Sequence, residues 1–342
     1  MFSELIVGYL FLAGTGAGAC LVLAVMGLCV PRAFLTRAQA GHSLAGYGRS
    51  AAHIPDVYSA LFFPPYLAAL ALLVVGMVCL MAHLGHTDRL LLLVTQPRLS
   101  YITVGAYALA LCVVLTVAVL LIWKRFLRLG FSTLRVLQVL LAIDALVVMT
   151  YTGLFLASMR SVPLWSTPWL PALFLLSSVS CGIGLVSIVC HLSSAGRAFS
   201  SSLRRLVVSD ALAIALESFV LIVMAYSILG TLELALQPDS ALYGAGTGVL
   251  FDWGRLNNTD LALMQSVWDL VLGSYAQLFW FALVVVGLVI PFVLDVVYVR
   301  TNRPRRGMVL AASLCVLVGG YALRHCVVLA GIQPALIVTG VM

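Results

Sequence analysis

The sequence predicts an all-α membrane protein of eight transmembrane helices. Three observations predict it. Of 342 residues, 63% are apolar and only 9% are charged, where a soluble domain carries about 25% charged residues. The apolar residues form continuous runs, each long enough to cross a hydrocarbon core of about 30 Å. The basic residues gather in alternate connections, as in a chain threaded back and forth across a bilayer. So few charges cannot clothe a water-facing surface, which excludes a soluble enzyme, and the high hydrophobicity excludes disorder. A β-barrel would alternate apolar and polar residues within segments of about ten, and these runs do not alternate.

The spans follow in order. Residues 5–29 are uncharged between Glu4 and Arg32. This run lacks a basic leading segment and is too long for the core of a cleaved signal, so it reads as a retained helix. Residues 57–83 run from Asp56 to His83, and 99–123 lie between Arg98 and Lys124. The fourth span, 134–157, contains Asp144. The fifth, 168–191, runs uncharged from Arg160 to His191, and the sixth, 206–232, contains Asp210 and Glu217. The seventh, 267–294, has its uncharged run between Asp269 and Asp295. The eighth, 307–330, contains Arg324 and His325.

Basic residues set the orientation. Fourteen of the 19 fall in four alternate connections: Arg32, Arg37 and Arg49; Lys124, Arg125, Arg128 and Arg135; Arg197, Arg204 and Arg205; Arg300, Arg303, Arg305 and Arg306. Cytoplasmic connections carry such an excess, so both termini are expected outside. The formal charge of +7 therefore needs no nucleic-acid partner. The longest outer connection, 233–266, holds Glu233, Asp239, Asp252 and Asp260 against Arg255. A connection this long is usually functional or disordered, and it offers a docking surface for an external partner. The chain also echoes itself: 10–21 reads LFLAGTGAGACL and 174–185 reads FLLSSVSCGIGL. Gly14, Gly18, Gly182 and Gly184 read as helix-packing residues, one set opening each four-helix half.

The chemistry available is narrow. The eight cysteines form no CxxC and no zinc or iron–sulfur spacing, so they read as small apolar residues, and no metal site is expected. No phosphate loop, serine-nucleophile elbow or zinc-helix motif is present. The six histidines, His42, His53, His83, His86, His191 and His325, offer no compelling haem-ligating pair. Asp144 and Glu217 stand near mid-membrane, and Arg324 lies within the last span; a charge there costs a few kcal/mol and usually marks a pathway. A proton pathway is the favoured reading; a structural pairing through Arg324 is its rival. Asp56, Asp210, Asp269 and Asp295 are expected at helix ends as caps or snorkelling groups. The outer half of the first four spans collects Tyr9, Thr15, His83, Tyr101, Thr103, Tyr107, Thr150, Tyr151 and Thr152. Hydroxyls in an apolar pocket suit a ligand with two oxygens on an apolar tail, such as a quinone. An interfacial aromatic belt accounts for Tyr9 and Tyr101 equally well, but less well for Tyr151, about two turns inside.

One segment is specific. From Tyr151 to Phe174 the chain reads YTGLFLASMRSVPLWSTPWLPALF. It resembles the polysulfide reductase membrane-subunit family, the NrfD-like and PsrC-like quinol-interacting anchors, whose pattern is Tyr-Thr-Gly, a gap, Pro-x-Trp, then Pro-x-Leu-Pro-x-Leu-Phe. The first span, with Tyr9-Leu-Phe-Leu-Ala-Gly-Thr-Gly-Ala-Gly, and the last, with Gly319-Gly-Tyr-Ala-Leu-Arg-His, agree. The resemblance implies two four-helix bundles, 1–160 with a quinone site and 161–342, in a bacterial or archaeal cell membrane. It implies no haem and no iron–sulfur cluster in this protein. The implied partners are an iron–sulfur electron-transfer subunit and a molybdopterin catalytic subunit on the outer side. Menaquinol or another quinol would be oxidised, or quinone reduced, in anaerobic respiration. Tyr151 matches the quinone-bonding tyrosine. Tyr9, Thr15, His83 and Arg160 complete the expected quinone site, with Asp144, Glu217 and Arg324 as the proton pathway. Two other readings compete: a proton-coupled secondary transporter, for which parallel halves and buried carboxylates speak, and a haem b membrane anchor.

Overall fold

The computed structural model describes residues 4–30, 56–84, 101–124, 126, 130–159, 162–193, 199–236, 258–301 and 306–331. Among them every regular element is helical, with no β-strand. The helices are α1 (Glu4–Leu28), α2 (Asp56–Leu84), α3 (Tyr101–Trp123), α4 (Phe131–Ala157), α5 (Trp169–Leu192), α6 (Ser200–Leu236), α7 (Asn258–Val271), a π-helical segment (Leu278–Val289) that runs into α8 (Ile290–Arg300), and α9 (Arg306–Gly331). Eight stretches are long and apolar enough to cross a bilayer. The protein is a multi-pass membrane protein.

Seven predicted spans match these helices to within a few residues. The seventh differs. Residues 267–294 are not one helix: the chain breaks after Val271 and resumes at Leu278. At the break the amides of Leu272 and Gly273 both bond to the Trp268 carbonyl, at 2.9 and 2.8 Å, and the Tyr275 amide bonds to the Asp269 carbonyl at 3.0 Å. The membrane span is instead 278–300. Asp269 therefore belongs to the short helix before the membrane, not to the start of the span. The outer connection expected at 233–266 falls largely at 237–257, outside the described residues.

Side chains on the outer faces are apolar. Val114, Ile143, Leu212, Phe219 and Ile222 are each more than half exposed, which water would not tolerate at this density but lipid favours. Helix α1 is the most deeply buried span. It packs against α2, α4 and α5 and also reaches α9. The reason lies in its sequence. Gly14, Gly16, Ala17, Gly18 and Ala19 leave little side-chain bulk, so neighbours approach from several sides. The two echoed segments turn out to be the two faces of one contact. Gly18 faces the backbone of Ser178 and Gly182, and a Cβ at Gly182 would strike the backbone of Gly18 and Ala19. These glycines are packing residues, as expected.

Further contacts build on this pair. Helices α3 and α4 pack together beside α1 and α2, while α6 and α9 pack on α5 and the π-helix–α8 span packs on α9 and α6. Ser59 at the start of α2 donates to the Trp123 carbonyl at the end of α3, 2.9 Å away. Arg204 in α6 donates to the Val299 carbonyl at the end of α8, also at 2.9 Å. These bonds bring alternate helix ends to one side, where Lys124, Arg204, Arg205, Arg300 and Arg306 also lie. We call this the basic end.

Candidate functional site

Three polar clusters sit inside the helices. The first lies toward the end opposite the basic one. Tyr9 is two turns into α1 and Tyr151 is two turns from the end of α4; both rings are buried. Their phenol groups are hydrogen-bonding neighbours. The Tyr151 ring lies directly against Gly105 of α3, where any Cβ would overlap its outer edge. Phe155, one turn on, packs beside it with ring centroids 6.1 Å apart. Two of the other hydroxyls expected here are satisfied on their own helix. Thr150 donates to the Leu146 carbonyl at 2.8 Å and Thr152 to the Met149 carbonyl at 2.7 Å, each on its own helix. Tyr107 is largely exposed.

Thr15 does not join the tyrosine pair. It is fully buried and faces α5, beside Cys181. Its hydroxyl makes no hydrogen bond among the described residues, and the Cys181 thiol beside it donates to the Val316 carbonyl at 3.6 Å. Of the remaining expected quinone contacts, Arg160 lies outside the described residues. His83 sits in the last turn of α2.

The second cluster surrounds Asp144, about 10 Å below Tyr151 along α4 at 1.5 Å per residue. Asp144 is buried and its carboxyl meets the Cys112 thiol of α3. Cys112 in turn neighbours Cys20 of α1, whose sulfur is 3.2 Å from the Thr116 hydroxyl. Among the described residues Asp144 Oδ2 makes no hydrogen bond, nor does either amide atom of Gln138, nearer the basic end. Buried polar atoms are nearly always satisfied by protein or water. Asp144 faces α3 through Cys112, whereas Gln138 faces α1 at Gly27.

The third cluster centres on Arg324, which is wholly buried. Its Nε donates to the Leu10 carbonyl at 3.2 Å, Nη1 to the Gly320 carbonyl at 2.9 Å and to Ser177 Oγ at 3.3 Å, and Nη2 to Ser178 Oγ at 2.7 Å. The rings of Phe174 and Phe11 flank the guanidinium, at 5.3 and 5.9 Å. Ser177 is also the hydrogen-bonding neighbour of Glu217, so Arg324 meets that carboxylate through a serine. Asp144 is not in this cluster; Arg324 belongs with Glu217.

Two aspartates correct the sequence expectation. Asp210 and Asp295 are not caps at helix ends but deeply buried. Helix α6 begins at Ser200, earlier than expected, which places Asp210 nearly three turns inside. Its carboxylate accepts a hydrogen bond from Ser180 at 2.7 Å, and Asp295 of α8 lies close to it. Glu217, Asp210 and Asp295 thus continue one polar line from Arg324 toward the basic end. Serines of α5 at i and i+3 were the available signal. Gly105 carries no signal in sequence, because a glycine in an apolar helix looks the same whatever it faces.

The specific connection between α4 and α5 also has a structural task. Leu164 and Trp165 are buried, and Trp165 Nε1 donates to the Val327 carbonyl of α9 at 2.7 Å. Gly331 gives the indole room. No group of three or more His, Cys, Asp or Glu side chains placed to hold a metal occurs among the described residues.

Comparison with known proteins agrees with this architecture. The family profile described as polysulphide reductase, NrfD, matches residues 1–335. The C subunit of the polysulfide reductase of Wolinella succinogenes is 28% identical over 204 residues, which cover 60% of this protein and 56% of that relative. The match thus spans little more than half of the relative's length.

Proposed function

Since this protein belongs to the polysulphide reductase NrfD family, we propose that it is the quinol-handling membrane anchor of a respiratory oxidoreductase complex. The observation that supports this most is the buried Tyr9–Tyr151 pair lodged against Gly105. A quinol presents two hydroxyls on an apolar body. In an apolar surrounding, two adjacent phenols offer it matched donors and acceptors, which low dielectric strengthens. Tyr151 accepts a hydrogen bond from one quinol hydroxyl, and Tyr9 holds the Tyr151 hydroxyl in place. Oxidation of the quinol releases two electrons and two protons and leaves a quinone. The electrons leave to an iron–sulfur subunit on the outer side, which passes them to a molybdopterin catalytic subunit; with opposite driving force the same site reduces quinone.

The helix arrangement fits two four-helix bundles, residues 1–160 and 161–342, with the tyrosine pair in the first. With the basic end in the cytoplasm, both termini and the tyrosine pair lie toward the outer surface. Protons then have a route in buried side chains. Asp144, beside Cys112 of α3, and Gln138, beside Gly27 of α1, form one set of buried polar groups stepping along α4 toward the basic end. Arg324, Ser177 and Glu217 form another. Charged groups at such depth are costly, and they are kept where a pathway needs them.

Tyr151→Phe tests the reading. It removes one hydroxyl and keeps the ring that Gly105 accommodates. Quinol-analogue oxidation by the purified complex should fall by about tenfold or more, the effect of one hydrogen bond to a reacting group, while assembly is unchanged. Normal turnover in this variant removes Tyr151 from the site.

A further inference from the structure

A cavity of about 720 Å³ opens between α1, α2, α5 and α6, well away from the tyrosine pair. Its walls are apolar, from Leu21 and Val25 of α1, Leu61 of α2 and Ile183 of α5. Tyr58 of α2 and Ser202 and Arg205 of α6 add polar groups to the lining. Ser209 also lines it, but its hydroxyl donates to the Arg205 carbonyl at 2.9 Å. Among the described residues, Arg205 has no carboxylate partner.

Depth and charge together limit what can fill this space. The α1 wall starts at Leu21 and continues past the helix end to Val30, a depth of at least about 10 Å at 1.5 Å per residue of helix. That is most of one leaflet, half of a core of about 30 Å. The deep end is apolar apart from Ser209, whose hydroxyl is bonded on its own helix, and the shallow end lies among the arginines of the basic end. A ligand must therefore be apolar over most of one leaflet's depth and negatively charged at the interface. We infer that this cavity is a binding site for an anionic glycerophospholipid, with an acyl chain between α1, α2 and α5 and the phosphate on Arg205. Basic pockets between membrane helices at a charged surface take such head groups. The position, between α1, α2, α5 and α6, gives the lipid a structural role in bridging these helices.

The test is native mass spectrometry of the purified complex, delipidated in detergent and given equal amounts of phosphatidylglycerol and phosphatidylcholine. The wild type should retain phosphatidylglycerol about fivefold over phosphatidylcholine, the effect of one basic side chain at a charged head-group layer. Arg205→Lys should keep that preference, and Arg205→Ala should lose it. Both act on an exposed side chain. Val25→Trp, which fills the cavity from its lipid side, should lower retention of both lipids by one molecule per complex. Equal retention of the two lipids by the wild type overturns the assignment. So does an unchanged preference in Arg205→Ala, or unchanged retention in Val25→Trp. A wild-type complex that takes up neither lipid overturns it as well.

Discussion

Gly105→Ala adds one methyl group, and the structure specifies where it goes. The new Cβ would stand inside the envelope of three atoms of the Tyr151 ring, Cζ, Cε1 and Cε2. Carbon atoms in contact settle at about 3.5–4.0 Å, so the ring must retreat by about 1.5 Å. Overpacking of this kind costs about 1–3 kcal/mol of stability. Its effect on chemistry should be larger, because a misplacement of about 1 Å at a positioning group can cost about 100-fold in rate. The assay is steady-state oxidation of a menaquinol analogue by the assembled complex, beside its thermal unfolding in detergent. We expect kcat/KM to fall about 100-fold with only a modest loss of stability. In a Tyr151→Ala background the same substitution should cost almost nothing further, since the displaced ring is already gone. Wild-type kcat/KM in Gly105→Ala refutes the positioning role of this contact. An equal loss with and without Tyr151 shows that the methyl acts through something else.

Three further outcomes are expected. Arg324→Leu removes four hydrogen bonds and a cation close to Glu217, and should destabilise the protein by about 3–5 kcal/mol; Glu217→Gln in that background should recover part of the loss, read as the midpoint of thermal unfolding. Trp165→Phe leaves the Val327 carbonyl without its indole donor and should cost about 1–3 kcal/mol, with quinol oxidation unchanged once the complex is assembled. Asp144→Asn keeps the shape of the Cys112 contact and removes the titrating group. In proteoliposomes it should alter the number of protons moved per quinol while leaving quinol affinity as it was, and an unchanged stoichiometry would reduce Asp144 to a packing group.

Span positions could be read from the sequence because each apolar run is bounded by charges that lipid rejects. The limits of α1 at Glu4 and of α9 at Arg306 follow from that alone. The same rule failed at 272–277, because Gly273 and Ser274 break a helix without adding charge. It failed at Asp210 and Asp295 for the opposite reason. A carboxylate near a run's edge looks like a cap, and only the packing of α5 and α6 shows Ser180 covering one of them. Tyr151 was legible through its depth and its motif, and Tyr9 through its place in the first span. Their pairing was not, since it depends on how α1 and α4 are rotated. The specific Pro-x-Trp segment pointed to the right family, and its tryptophan holds α9 in place.

The bond from Arg324 to the Leu10 carbonyl joins residues 314 apart in sequence. That separation constrains biogenesis. During synthesis α1 enters the membrane long before α9 exists, with the Leu10 carbonyl and the serines of α5 still waiting for their donor. An arginine inside the span raises the insertion cost of α9, by up to about 2.5–3.5 kcal/mol for a helix centre. The cost falls if α9 enters a membrane where α1 and α5 have already assembled and can receive the guanidinium. The last span is thus held back until the earlier ones are correctly paired, so a protein with misplaced early helices would leave its final helix poorly inserted and exposed to membrane proteases.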